Sequence, residues 1–291
     1  MRPAVNTNIQ TLLHNKLQEL EQELSADIFS YFGPIVNGNE NFVLKLIEDL
    51  ASDAAKRDKI YVVLTTNGGS AIAVERYVNI LRHFYNEVNF IVPDYAYSAG
   101  TIFCMSGDNI LMDYFSVLGP IDPQVQNKEG KWVAALGYLD KVKELLDKAA
   151  NNKLSEAEFL ILKDIDLAEL RGYEQARELS VDLLQKWLVK FKFKNWTTHR
   201  TNPDLVGQNV TQEQREAKAK KIADDLSDNT IWKSHSRPIN IDTLINQLRL
   251  EIDDYSNNNV LRPKIRDYYE LLSDYVSRNN VPIFVHTRKF I

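Results

Sequence analysis

The sequence contains a single cysteine, Cys104. No internal disulfide can form, and the chain fits a reducing compartment. Long hydrophobic runs are missing too. The longest clean one, Ile60 to Leu64, has five residues, against roughly 20 for a membrane-crossing helix. The first ten residues, MRPAVNTNIQ, lack the apolar stretch of a secretory signal. Neither charge sign dominates: 35 basic residues stand against 40 acidic ones, a net charge of −5, which argues against nucleic acid as a partner. With 11 Gly and 9 Pro in 291 residues, 44% hydrophobic and 26% charged, collagen-like and disordered classes are excluded. His14, His83, His199 and His286 are scattered and no HExxH or CxxC spacing occurs, so a metal centre has no support. The one Gly-Gly turn is not followed by GKS or GKT, which removes a phosphate loop. A cytoplasmic protein without cofactor and without membrane insertion is the expectation.

What is present is an alternation of strands and helices. Ile9, Leu13, Leu17, Leu20 and Leu24 recur at helical steps within the first 26 residues. That stripe reads as packing on its own domain or as an oligomer contact. Ile28 to Val36 is a strand candidate and Asn39 to Ala55 a helix. Lys59 to Thr65 (KIYVVLT) is apolar and β-branched almost throughout, as a strand buried on both faces of a parallel sheet should be. Helix Ser70 to Tyr85, strand Val88 to Val92, helix Gly100 to Met105 and short strands Asn109 to Met112 and Ser116 to Leu118 follow. This order is the signature of an α/β fold.

Beyond Leu139 the pattern is mostly helical: Asp140 to Ala150, Glu156 to Arg177, Leu179 to Phe193, Thr211 to Leu226, Ile239 to Leu248 and Pro263 to Arg278. Pro282 to His286 is a closing strand candidate. The basic run Lys218 to Lys221 reads as a solvated helix face. Trp196, Trp232, Tyr268 and Tyr269 read as core or interface aromatics.

Two glycine-bearing turns end consecutive strands: Asn67-Gly68-Gly69-Ser70 and Tyr97-Ser98-Ala99-Gly100-Thr101. Ligands of open α/β sheets gather at such strand ends. Ser98 stands just before a helix, whose free N–H groups and dipole favour a developing anion. The alternative is an ordinary helix cap and an ordinary turn.

Three segments go further. LTTNGGSAIAVERYV (Leu64 to Val78), YSAGT (Tyr97 to Thr101) and LGPIDPQ (Leu118 to Gln124) resemble, in order and in register, the Clp-fold serine peptidases. The chain is most similar to their serine dehydrogenase proteinase family, kin of signal peptide peptidase A. The resemblance implies a ClpP/crotonase-like superhelix of ββα units with added N- and C-terminal helices. Residues 1–26 would form a helical extension and 27–291 the domain. Within it, 27–125 would carry the nucleophile and oxyanion hole, and 139–291 would be a helical elaboration. It also implies an ATP-independent serine endopeptidase working through an acyl-enzyme at Ser98. Gly69 and Ala99 would supply oxyanion-hole N–H groups, and Gly68, Ser70 and Tyr97 would contact a peptide or protein substrate. A homo-oligomer is expected by the same analogy.

The general base departs from the pattern. Where the Clp peptidases carry a histidine, this sequence has Gly119 and Pro120, neither of which takes a proton. His235, in SHSRPI, is one replacement, since an ordinary histidine near pKa ~6.5 suits a base. A lysine is another: Lys141 and Lys143 lie at the spacing of a Ser–Lys dyad, with Lys128, Lys131 and Lys148 near, and such a lysine needs desolvation. Asp122 would orient the base, bind substrate, or serve only as a turn residue. Two other functions stay open: a catalytically silent peptide-binding or scaffold protein, and a crotonase-like acyl-CoA hydrolase. Cys104, on the apolar helix after Ser98, reads as packing.

Overall fold

The computed structural model describes residues 3–126, 130, 132–199 and 204–291. In chain order it contains α1 (Pro3–Leu24), β1 (Asp27–Phe32), α2 (Glu40–Ala51), β2 (Lys59–Thr65), α3 (Ala71–Phe84), β3 (Glu87–Val92), β4 (Tyr95–Ala96) and α4 (Ala99–Cys104). Next come β5 (Asn109–Met112), β6 (Val117–Leu118), β7 (Gln124–Gln126), β8 (Trp132–Ala134), α5 (Ala135–Ala150), α6 (Glu156–Lys163) and α7 (Leu167–Trp187). A π-helical turn (Leu188–Lys192), α8 (Gln212–Leu226), α9 (Asn229–Trp232), β9 (Ile239–Asn240), α10 (Ile241–Asn246), β10 (Asp253–Asp254), α11 (Leu261–Asn279) and β11 (Phe284–His286) complete it.

Strand alternation decides the layering, because successive side chains point to opposite faces of a sheet. In β2, Ile60, Val62 and Leu64 join Val43, Ile47, Val74 and Tyr77 of α2 and α3. Tyr61 and Val63 face the other way, toward α1 and α11. The main sheet has the order β10-β5-β3-β2-β1-β11. Its inner pairs are parallel and β11 closes it antiparallel to β1. The leucine stripe of α1 is spent inside the molecule: Leu13, Leu17 and Leu20 are fully buried, sharing a cluster with Leu261, Ile265, Tyr268 and Leu272 of α11. Packing on its own domain is the reading the structure takes.

A second, smaller set of strand contacts runs beside the carboxyl ends of the main strands. Ile35 bridges Gly69 and Thr66 bridges Ala96, both parallel. β4 pairs parallel with β6, and β6 antiparallel with β9. Each turn of chain therefore supplies a long strand, a short extended piece and a helix, most plainly in β3–β4–α4. This is the α/β superhelix of ββα units that the motifs led us to expect.

Two helices differ from their sequence patterns. The run Glu156 to Arg177 is broken before Leu167, because the Asp166 carboxylate accepts the N–H groups of Ala168 and Glu169 and starts α7 afresh. That helix then passes Leu179 without a break and ends in the π-helical turn. Within α8, Ala219, Ile222, Ala223 and Leu226 are buried, while Lys220 and Lys221 pair with Asp224 and Asp225 on the outer face.

The C-terminal layer carries a built-in acid sensitivity. His286 is buried on β11 with Nδ1 2.9 Å from the Tyr268 hydroxyl. Burial, and secondarily the charge of His14, push its pKa down to about 3. An unfolded histidine takes its proton near ~6.5, so this contribution to stability is whole above that pH and is lost as the pH falls toward 3. Between pH 6.5 and 4.5, the His286→Asn variant should lose about 2–3 kcal/mol less than the parent in denaturant titrations. Parallel pH profiles for the two proteins would refute this.

Candidate active site

Ser98 sits at the entry to α4, where the chain turns from the extended β4 directly into a helix. Its backbone is at φ 51°, ψ −114°, a conformation that residues with a Cβ rarely adopt and that clusters at functional sites. The turn holds through close packing of small residues. A Cβ on Gly100 would run into the Thr66 side chain, and one on Gly68 would lie 2.9 Å from Ser98 Cβ. Thr101 fixes the helix to the neighbouring loop: its Oγ1 lies 2.9 Å from the Ala96 carbonyl and 2.8 Å from that of Gly119, and accepts the Gly119 N–H at 3.1 Å.

The Gly68-Gly69 turn lies against Ser98. Thr66 Oγ1 accepts the Gly68 N–H at 3.0 Å. The Gly68 carbonyl accepts from Ile35 N at 2.9 Å, and the Ile35 carbonyl from Ser70 N at 2.8 Å. Among the described residues, the N–H groups of Gly69 and Ala99 have no acceptor. Two unspent main-chain donors near a serine at a helix start are what an oxyanion needs.

Asp122 is the node that joins the predicted residues. Its main-chain carbonyl accepts the Ser98 hydroxyl at 3.3 Å. Its Oδ1 accepts the Leu136 N–H at 3.0 Å, at the first turn of α5. Its Oδ2 faces His235 Nδ1 at 3.7 Å. Both of those atoms are buried, and neither has a hydrogen-bond partner among the described residues. The carboxylate is 1% exposed and the imidazole 17%. Burying two such groups without partners is costly, so a small approach that closes the gap is favourable. His235 reaches this place because the chain leaves α9 through Lys233 in the left-handed conformation (φ 63°) and returns along β9, which pairs with β6.

The sequence matches the family model of the ClpP-like SDH-type serine proteinases over residues 6–283. The chain belongs to that family. Two curated relatives come from Methanocaldococcus jannaschii. Uncharacterized protein MJ0137 is 33% identical over 145 residues, covering 46% of this chain and 49% of its own length. Uncharacterized protein MJ1495 is 29% identical over 219 residues, covering 74% and 56%. The chain thus spans about half the length of the curated relatives it matches. Similar solved structures include two forms of the 1510-N membrane-bound stomatin-specific protease, one of them in complex with a substrate peptide. They have TM-scores of 0.45 and identities of 12% and 14%. Each match covers 81% of this chain, with 81% of one solved chain and 77% of the other. Among the described residues of this SDH-type proteinase, no helix is long and apolar enough to cross a membrane.

The remaining candidates fall in different places. Lys141 is exposed and pairs with Glu144 at 2.9 Å, and Lys143 is exposed on the same helix, α5. Hydrogen bonds that Lys148 donates to the Glu158 and Glu144 carboxylates push it up to about 12, the wrong direction for a base. Lys128 and Lys131 lie outside the described residues. The Ser70 hydroxyl donates to Asn37 Oδ1 at 2.6 Å and accepts the Ala73 N–H as the cap of α3, so it is taken up in structure. Tyr97 stacks on Tyr95 and covers Gly119, where any Cβ would run into its ring. A histidine at position 119 would meet that ring. Cys104 is fully buried, and burial pushes its thiol well above the ordinary range, which leaves it inert as a nucleophile.

Thr66 and Thr101 escaped the reading of the motifs, although both lie inside them. A threonine among glycine and alanine at a strand end was the available signal, because its hydroxyl can hold turn N–H groups that no regular element satisfies.

Proposed function

We propose that this SDH-type proteinase is a serine endopeptidase that cleaves peptide bonds through an acyl-enzyme at Ser98, without ATP. The observation carrying this reading is the strained serine at the head of α4, flanked by the unspent N–H groups of Gly69 and Ala99. His235 is the general base and Asp122 the residue that orients it; the exposure of Lys141 and Lys143 counts against a lysine base. His235 takes the Ser98 proton as Oγ attacks the substrate carbonyl carbon. The tetrahedral oxygen is held by Gly69 and Ala99 as the amine departs with the proton from His235. Water, activated by the same imidazole, then releases the acid and restores Ser98. Gly68 and Tyr97 border the bound peptide. A cytoplasmic homo-oligomer is part of the proposal, with light scattering as its check.

The test is a fluorophosphonate probe, with the label mapped by mass to Ser98. His235→Ala should slow labelling tenfold or more, since a positioned base supplies roughly 10²–10⁴ in rate. The same loss in Lys141→Ala or Lys143→Ala, and not in His235→Ala, would move the base to the lysine. A second reading is a silent peptide-binding protein, favoured by one observation: the Ser98 hydroxyl is donated to a main-chain carbonyl. Reproducible absence of label on folded protein would decide for it.

A further inference from the structure

The residues just before Ser98 form a polar and aromatic cluster of which the proposed reaction uses only Tyr97, at the edge of the bound peptide. Tyr95 and Tyr97 are two apart on extended chain, so their rings project to one face. The rings stack with centroids 5.6 Å apart at 27°, and both residues are partly exposed. Beside them, the partly exposed Asp94 carboxylate is held by the Tyr269 hydroxyl at 2.6 Å. Tyr269 itself is anchored in α11 by stacking on Phe32.

That carboxylate has no cationic partner among the described residues. Arg266, whose guanidinium lies over the Tyr269 ring, donates instead to the Pro93 carbonyl at 3.0 Å and pairs with Glu270. Burial first, and the Asp94 charge second, hold the Tyr95 and Tyr97 phenols above the ordinary tyrosine range. Both rings therefore stay neutral and keep their electron-rich faces. A fixed anion beside two tyrosine rings is the chemistry that recognises an ammonium or guanidinium. One carboxylate is too few oxygen ligands for a hard metal cation.

We propose that Asp94, with the Tyr95 and Tyr97 rings, forms an anionic subsite next to Ser98 that takes a lysine or arginine side chain of the peptide. This rests on the peptidase reading above and names its substrate preference. Peptides differing at one position, with Lys, norleucine or Glu scanned along both sides of the cleaved bond, test it through kcat/KM. At one position Lys should exceed norleucine roughly tenfold, since the pair and the ring contact are each modest at a half-exposed site. Added salt should shrink that ratio.

Asp94→Asn keeps an acceptor for Tyr269 and should bring the ratio close to one. Asp94→Lys should turn the preference toward Glu. Equal rates for Lys and norleucine at every position, or a preference that survives in Asp94→Asn, overturn the subsite while leaving the peptidase standing. If no peptide is cut and Ser98 takes no fluorophosphonate, the peptidase reading falls and takes the subsite with it.

Discussion

Replacing Ser98 with alanine is expected to cut peptide hydrolysis by ~10³-fold or more and to abolish fluorophosphonate labelling, with little change in the unfolding midpoint. Loss of a nucleophile removes the covalent route, and only binding and the oxyanion donors remain to give residual rate. Stability should hold because alanine keeps the same Cβ in the same strained backbone, φ 51° and ψ −114°.

Ser98→Gly separates the two effects. It is equally inactive but relieves a strain of about 1–3 kcal/mol. The freer unfolded chain takes back about 0.5–1 kcal/mol of that. A net gain near 1 kcal/mol in denaturant unfolding is the expected result. If Ser98→Gly proves less stable than Ser98→Ala, strain is not stored at this turn. If either variant hydrolyses peptides at the parent rate, the nucleophile lies elsewhere.

Gly69→Ala should be the most damaging change that leaves every proposed catalytic side chain in place. Gly69 has φ 142°, and a Cβ there would be driven into the Ile35 carbonyl oxygen and lie 2.9 Å from its carbon. These are main-chain atoms, tied on both sides by the bonds Ile35 N to Gly68 O and Ser70 N to Ile35 O, so the clash cannot be relieved by a rotamer. The bridge must open, and the Gly69 N–H moves off the place where an oxyanion would sit. We expect a stability loss on the order of 2–4 kcal/mol. A fall in kcat of roughly 10²–10³ should accompany it, the usual effect of losing one oxyanion donor. Gly38→Ala is the control, since its φ of 99° is also positive but nothing lies within 4 Å of the added atom. Equal behaviour of the two variants would show that left-handed backbone alone, and not the Ile35 contact, governs the turn.

The parts of the molecule that could be read in advance are those whose signal is local. Lys59 to Thr65 and Asn109 to Met112 are strands with those bounds, because a short, almost wholly apolar run is itself the mark of a strand buried on both faces. The Gly-Gly turn and the serine at the helix start were legible for the same reason: each depends on a few consecutive residues. The hairpin of β7 and β8, the short helix α9 and the two-residue strands β9 and β10 carried no such pattern. They are too short for a period and exist because a partner strand or helix is already in place. The break at Asp166 was written in a capping residue that a continuous apolar pattern concealed.

By itself, the sequence determined the α/β class, the place of the Ser98 turn at a helix start, the family, and the absence of a histidine where β6 ends. Only the tertiary structure brought the Asp122 loop to Ser98 and His235 to Asp122. Asp122 and His235 are 113 residues apart in the chain, and nothing in either neighbourhood requires that they meet. They come to 3.7 Å because β9 pairs with β6, carrying the histidine loop back beside the Asp122 loop. The same is true of Asp94 and Tyr269, joined only because α11 packs across the main sheet. Strand and turn propensities act over a few residues, whereas the burial that sets side chains of distant segments face to face belongs to the folded chain as a whole.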